Sequence, residues 1–146
     1  MVRILPLSFD VNDSFYDLLS VFRQPEHHKT LFLFNDCIEY HRPNKKGLGN
    51  ASIREFNRYN KNLDIPRSAG IPVGSIKTGG FKYLSDESKT IIDNAFIEIQ
   101  DLLENYNYST ILYPAHKNGR FLIDNFYVST DVVDYIMQKL EMIFKN

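Results

Sequence analysis

Asn35 and Asp36 close the run Thr30-Leu31-Phe32-Leu33-Phe34, and after a polar stretch the chain reads Lys45-Lys46-Gly47-Leu48-Gly49-Asn50-Ala51-Ser52-Ile53-Arg54. A carboxylate at the end of a buried strand accepts hydrogen bonds from an adenine amino group or a ribose hydroxyl, and the amide beside it both donates and accepts. Glycines at 47 and 49 permit positive φ and close approach of backbone to a phosphate. A helix opening near Asn50 would turn unpaired N–H groups and its positive dipole end toward the same anion. Lys45 and Lys46 add charge there. The chemistry assembled is that of a nucleotide or phosphate site, although a plain turn and helix start use the same residues.

Two further loops carry polar groups of the same kind. His116-Lys117-Asn118-Gly119-Arg120 follows a second apolar run, and Asn118, Gly119 and Arg120 suit a diphosphate or distal ribose. Gly74-Ser75-Ile76-Lys77-Thr78-Gly79-Gly80 reads as a flexible cover, with Lys77 and Thr78 as its ligand contacts. Histidines suggest a different chemistry. His28-Lys29-Thr30 has the His-x-Thr form of two-histidine phosphoesterases, where paired imidazoles act as general base and acid. Its partner, His116, lacks the threonine and follows a strand instead of lying on one. The four histidines, 27, 28, 41 and 116, show no zinc spacing, no cysteine pair is present, and no metal or cofactor is expected. A Gly-x-Ser-x-Gly nucleophile elbow is absent, and Cys37 reads as a buried structural thiol.

The elements that must position these loops alternate along the chain. Val2 to Leu7 reads as a first strand, placed at an edge by Pro6. Asn12 or Asp13 caps a helix carrying Phe15, Leu18, Leu19 and Phe22. Thr30 to Phe34 is a continuous apolar run, as in a parallel strand covered on both faces. The helix near Asn50 carries Ile53 and Phe56, and the two prolines of Ile65 to Val73 keep that segment extended. Ser85 opens the clearest helix, with Ile91, Ile92, Ala95, Phe96, Ile99, Leu102 and Leu103 in one apolar stripe. Ser109 to Tyr113 is a second buried strand and Phe121 to Val128 an added edge strand. Ser129 or Thr130 caps a last helix with Val132, Val133, Ile136, Met137, Leu140 and Ile143 inside. Alternating strands and helices predict an α/β fold in which ligands bind outside the carboxyl ends of the strands, here the loops after Phe34 and Tyr113.

Composition bounds the rest. The 146 residues suit one domain, 1–146, whose core is built on rings, since 14% are aromatic, with 11 Phe, 9 Tyr and no Trp. Seventeen basic residues against 18 acidic ones give a net charge of -1, which offers no global field to attract nucleic acid. One cysteine excludes an internal disulfide and fits a reducing cytosol. No run approaches the roughly 18 apolar residues of a membrane span, and the start has no signal-peptide form, so a cytoplasmic protein without membrane contact is expected.

Taken in order, Phe34-Asn35-Asp36, Gly47-Leu48-Gly49-Asn50-Ala51-Ser52-Ile53-Arg54, Pro66-Arg67-Ser68-Ala69-Gly70-Ile71-Pro72-Val73-Gly74, Ile111-Leu112-Tyr113-Pro114-Ala115 and Asn118-Gly119 resemble the macrodomain-related proteins. More narrowly, the chain resembles small phage-type proteins whose strand end reads Phe-Gly-Asp-Asn, followed by Gly-x-Gly-Gly-x-Ala and Gly-Ile-Pro-Thr. It runs from about Thr30 to the final helix. What it implies is a single-domain, macro-like, three-layer fold with a mixed, mostly parallel sheet flanked by helices. It also implies an ADP-ribose-related or other nucleotide ligand, and a phage protein in the host cytoplasm that sequesters or processes a host nucleotide signal. Asn35 and Asp36 would lie near the nucleoside, Gly47, Gly49 and Asn50 near the ribose, and Asn118, Gly119 and Arg120 near the diphosphate. Cys37 stands where the family has Asn, Asn50 replaces a glycine, and the loop at 116–120 is bulkier and more basic than the family's. In a catalytic version, an ADP-ribosyl or nucleotide hydrolase, Asp36 orients or deprotonates a water while Lys117 or Arg120 stabilises diphosphate charge. The competing expectation is a protein–protein interaction module with a degenerate pocket, a homodimer included, using the tyrosines at 106–108 and Phe126-Tyr127.

Overall fold

Each residue of β2 (Thr30–Asp36) is buried, as the unbroken apolar run requires, and this strand organises the molecule. The computed structural model describes residues 2–8, 18–124 and 126–145. In chain order, β1 (Arg3–Ser8) and α1 (Leu18–Phe22) precede β2, and a 3-10 helix (Gly49–Phe56) and β3 (Ser68–Pro72) follow it. Then come β4 (Gly74–Ser75), β5 (Gly79–Gly80), α2 (Asp86–Asn105), β6 (Thr110–Ala115) and α3 (Thr130–Lys145). The main sheet runs β1-β6-β2-β3 with every neighbouring pair parallel.

Alternation along β2 divides the core into two layers. Phe32 and Phe34 pack with Leu18, Val21 and Phe22 of α1 and with Ala51 and Ile53 of the 3-10 helix. Leu31 and Leu33 turn to the other face, against Ile92, Phe96 and Ile99 of α2 and Val132, Ile136 and Leu140 of α3. The result is a three-layer α/β arrangement, each fully buried large side chain contributing roughly 1.5–3 kcal/mol. The expected stripe of α2 is its buried face, and the helix starts in a reciprocal cap between Ser85 and Ser88 that satisfies two otherwise orphan N–H groups.

Several expectations need correction. Residues 74–80 form a small antiparallel hairpin, Gly74 opposite Gly80 and Ser75 opposite Gly79, instead of a flexible loop. It is pinned by the Glu39 carboxylate, which accepts hydrogen bonds from Ser75 Oγ and the Ile76 N–H. Phe121 to Val128 adds no strand among the described residues beyond a single antiparallel bridge from Phe121 to Ala115. The helix near Asn50 is a 3-10 helix, whose three-residue repeat stacks Ala51 with Arg54 in one row and Asn50, Ile53 and Phe56 in another. Among the described residues the main sheet is mostly parallel, as expected, since its neighbouring strands all pair parallel and the bridge at Ala115 is antiparallel. The expected cap at Asn12 or Asp13 and Phe15 lie outside the described residues. No helix is long and apolar enough to cross a membrane among the described residues.

Two features of the sheet shape its carboxyl edge. Pairing of β2 with β6 stops at Phe32 and Leu112, although both strands continue. Pro114 has no N–H to extend the ladder, and its carbonyl instead accepts the Leu122 N–H at 2.8 Å. Between β2 and β3 the register sets Phe34 opposite Gly70, and a Cβ built on Gly70 would overlap the Asp36 carboxylate. Gly70→Ala is therefore expected to cost about 1–3 kcal/mol through overpacking of that contact. Urea unfolding checks this, and a midpoint equal to the wild type's would show that β3 does not approach Asp36 so closely.

Candidate functional site

Asp36, at the carboxyl end of β2, is 1% exposed, and water cannot solvate its charge there. Its Oδ1 accepts the Cys37 N–H at 2.8 Å, Arg54 Nε at 2.8 Å and Arg54 Nη2 at 2.7 Å. Its Oδ2 accepts from His41 Nδ1 at 3.1 Å. These donors match the roughly four acceptor positions of a carboxylate. Arg54 shares its row of the 3-10 helix with buried Ala51, and its remaining Nη1 donates to the Lys45 carbonyl at 2.9 Å, closing the loop over the strand end.

His41 carries the network onward. Its Nδ1 faces Asp36 and its Nε2 faces Glu98 Oε2 at 3.0 Å, so both ring nitrogens meet acceptors and the ring is an imidazolium. Burial opposes that charge, but the hydrogen bonds and charges of Asp36 and Glu98 outweigh it and raise the His41 pKa from 6.5 to about 9. Glu98, on α2, is half-buried. Burial acts to raise its pKa, yet bonds from His41 and from Tyr59 OH at 2.8 Å hold it below its ordinary value. Burial pushes the neighbouring Cys37 thiol up, consistent with an inert side chain.

A cleft of about 270 Å³ opens above this network. Its walls are Asn35, Asp36, Cys37, Tyr40, Lys45, Lys46, Gly47, Leu48, Ala51 and Arg54, with Ile76 of the hairpin and Phe126 on the far side. Leu48 and Ile76 stand 85% and 56% exposed at its rim, an apolar surface beside two lysines. Phe126 also lines a second cleft of about 260 Å³ with His116, Arg120, Phe121 and Tyr127.

The fold brings Asn35, Asp36, Gly47, Gly49 and Asn50 together at one strand tip. Asn50 Nδ2 donates to Asn35 Oδ1 at 3.1 Å, and Gly49, at φ 59°, lies against the Asp124 carboxylate. Arg120 stands across Phe126 in the second cleft, paired with Asp134 at 2.8 Å, and Asn118 Oδ1 accepts the Arg120 N–H within its own turn. Gly119 gives its carbonyl to Tyr113 OH. Lys77 and Thr78 do not join the cluster. Ile76 is the hairpin residue that lines the first cleft, Lys77 is exposed, and Thr78 faces a depression formed by residues 78–85. His28 precedes β2 and His116 follows β6, at opposite ends of parallel strands, so they share no site.

Four residues of the site were not singled out from the sequence: Arg54, His41, Glu98 and Asp124. Arg54 had a signal, because a cation in a helical row otherwise destined for burial must meet an acid. His41 reaches Asp36 from five positions on through an irregular loop, Glu98 joins through His41 across 57 positions, and Asp124 reaches Asn35 across 89, and neither of the last two separations leaves a local pattern. Among the described residues, no group of three or more His, Cys, Asp or Glu side chains is arranged to hold a metal ion. No protein-family model, curated protein or solved structure matches the chain.

The His41 bridge makes stability depend on pH with a definite sign. A pKa raised on folding contributes in full below 6.5 and is lost as pH rises through about 9. At about 1.4 kcal/mol per unit the contribution is roughly 3 kcal/mol. Urea unfolding at intervals from pH 6 to pH 10 is expected to show that decline in the wild type and not in His41→Gln. Parallel profiles for the two proteins would mean that the imidazole is neutral in the fold.

Proposed function

We propose that the protein is a nucleotide-binding module whose ligand sits in the cleft at the carboxyl end of β2. The observation that carries this is the combination around one cavity of three apolar residues, Leu48, Ile76 and Phe126, with two lysines, Lys45 and Lys46. A flat apolar base and a phosphate need those two surfaces side by side. The position agrees with the general rule for parallel sheets, where crevices outside the carboxyl ends take ligands. At about 270 Å³ the first cleft suits a mononucleotide. An ADP-ribose-related ligand would extend past Phe126 into the second cleft, toward His116 and Arg120. The macro-like and phage resemblance makes a host nucleotide signal the natural ligand on this reading.

Asp36 serves this site as an anchor. Its acceptor positions are taken up by Arg54, His41 and Cys37, and the reading is one of binding without a general base at that residue. The same saturation favours one alternative, an interaction module built on the fold with its pocket closed.

Calorimetry with AMP, ADP-ribose, NAD and a cyclic nucleotide separates the two. Binding is expected, weakened about ten-fold or more in Lys45→Ala/Lys46→Ala by loss of charge-assisted contacts. Absence of heat for all four at millimolar ligand, together with a dimer in light scattering, would favour the interaction module.

A further inference from the structure

Resting on the nucleotide site proposed above, we infer that Asp124 is an internal stand-in for the ligand's phosphate, and that its side chain is a latch which the ligand displaces. Asp124 is exposed and belongs to no helix or strand, yet its carboxylate reaches two buried asparagines. Oδ1 accepts from Asn35 Nδ2 at 3.0 Å and Oδ2 accepts the Asn50 backbone N–H at 2.8 Å. Asn35 and Asn50 are 1% and 6% exposed.

The orientation of these donors is set from behind. Asn50 Nδ2 holds the oxygen of the Asn35 amide, so its nitrogen is turned outward. Together with the Asn50 N–H this makes a receptor of two donors for two oxygens of one anion, a geometry that a phosphate meets as a carboxylate does. Gly49 completes it, since a Cβ there would overlap the Asp124 carboxylate. Asn35 also lines the cleft with Lys45 and Lys46, and Phe126, two residues beyond Asp124, forms the facing wall. Releasing Asp124 therefore uncovers both donors at the edge of the cleft that Lys45 and Lys46 line, while Phe126 stays packed on the core.

The backbone around Asp124 stays in place. The Leu122 N–H is held by the Pro114 carbonyl at 2.8 Å and the Ser129 N–H by the Phe81 carbonyl at 3.1 Å. Between them Ile123, Phe126 and Val128 pack against the core. A phosphate dianion entering beside Lys45 and Lys46 brings more charge to the receptor than the single carboxylate it replaces, which favours the exchange. Adenosine, with no anion, has nothing to put in the place of Asp124.

The test titrates inorganic phosphate, AMP and adenosine into ¹⁵N-labelled wild type, Asp124→Asn and Asp124→Ala, following the Asn50 amide resonance and the dissociation constant. Phosphate and AMP are expected to move that resonance and to bind about ten-fold or more tightly to Asp124→Ala, because the closed fraction no longer reduces apparent affinity. Asp124→Asn, which keeps an acceptor oxygen, falls between and preserves the test should Asp124→Ala unfold. Adenosine gains nothing. An Asn50 resonance that phosphate leaves in place, weaker AMP binding to either variant, or equal gains for AMP and adenosine would overturn the latch. Phosphate shifting Asn50 while no nucleotide binds would keep the latch and sink the nucleotide reading, whereas nucleotide binding that spares Asn50 would do the reverse.

Discussion

A carboxylate with no access to water dominates the carboxyl end of β2. Isolated in an apolar interior, the Asp36 charge would cost far more than a small domain's whole stability, so the surroundings must supply its solvation. Three groups do so, the Cys37 N–H and the His41 imidazolium from the loop after β2 and the Arg54 guanidinium from the 3-10 helix, while Gly70 of β3 leaves room for the carboxylate. Glu98 then balances His41 and ties α2 into the group. Removing one partner of such a set leaves a buried charge unpaired, typically a loss of about 3–5 kcal/mol, so strand, 3-10 helix, loop and α2 are bound to act together.

That arrangement also decides which charges face outward. Asp36 and Arg54 neutralise one another beneath the cleft, as do His41 and Glu98 beside it. Lys45 and Lys46 remain on the rim, with Lys45 5.3 Å from the Tyr40 ring centroid, so the cavity presents cations and hydrocarbon over a neutral floor. The opening itself follows from a break in the sheet. Where β2 and β6 cease to pair, the returning segment 121–124 links their ends through the Pro114 carbonyl and Asn35. One residue of that segment's continuation, Phe126, separates the two clefts, and one, Asp124, covers the asparagine donors.

How far the chain announced all this differs from element to element. The burial of β2 on both faces, the stripe and cap of α2, the extended segment around Pro66 and Pro72 and the parallel α/β layering rest on short-range pattern, and these are present. The neighbourhood of Asn35, Asp36, Gly47, Gly49 and Asn50 could likewise be read, because one strand and one turn bring them together. The hairpin at 74–80 and the irregular course of 121–124 and 126–128 could not. The first depends on Glu39, distant in sequence, and the second on where β6 runs out of donors at Pro114.

By itself the sequence determined which segments bury their side chains and which strand ends carry polar groups, since periodicity and turn chemistry act over a few residues. Only the tertiary structure decided what those groups do. Whether Asp36 faces a ligand or an arginine, and whether Asn35 and Asn50 stand open or hold Asp124, depends on partners brought in from elsewhere in the chain. Such contacts leave no periodic trace, because they arise when separate elements pack and each buried charge must find its counterpart.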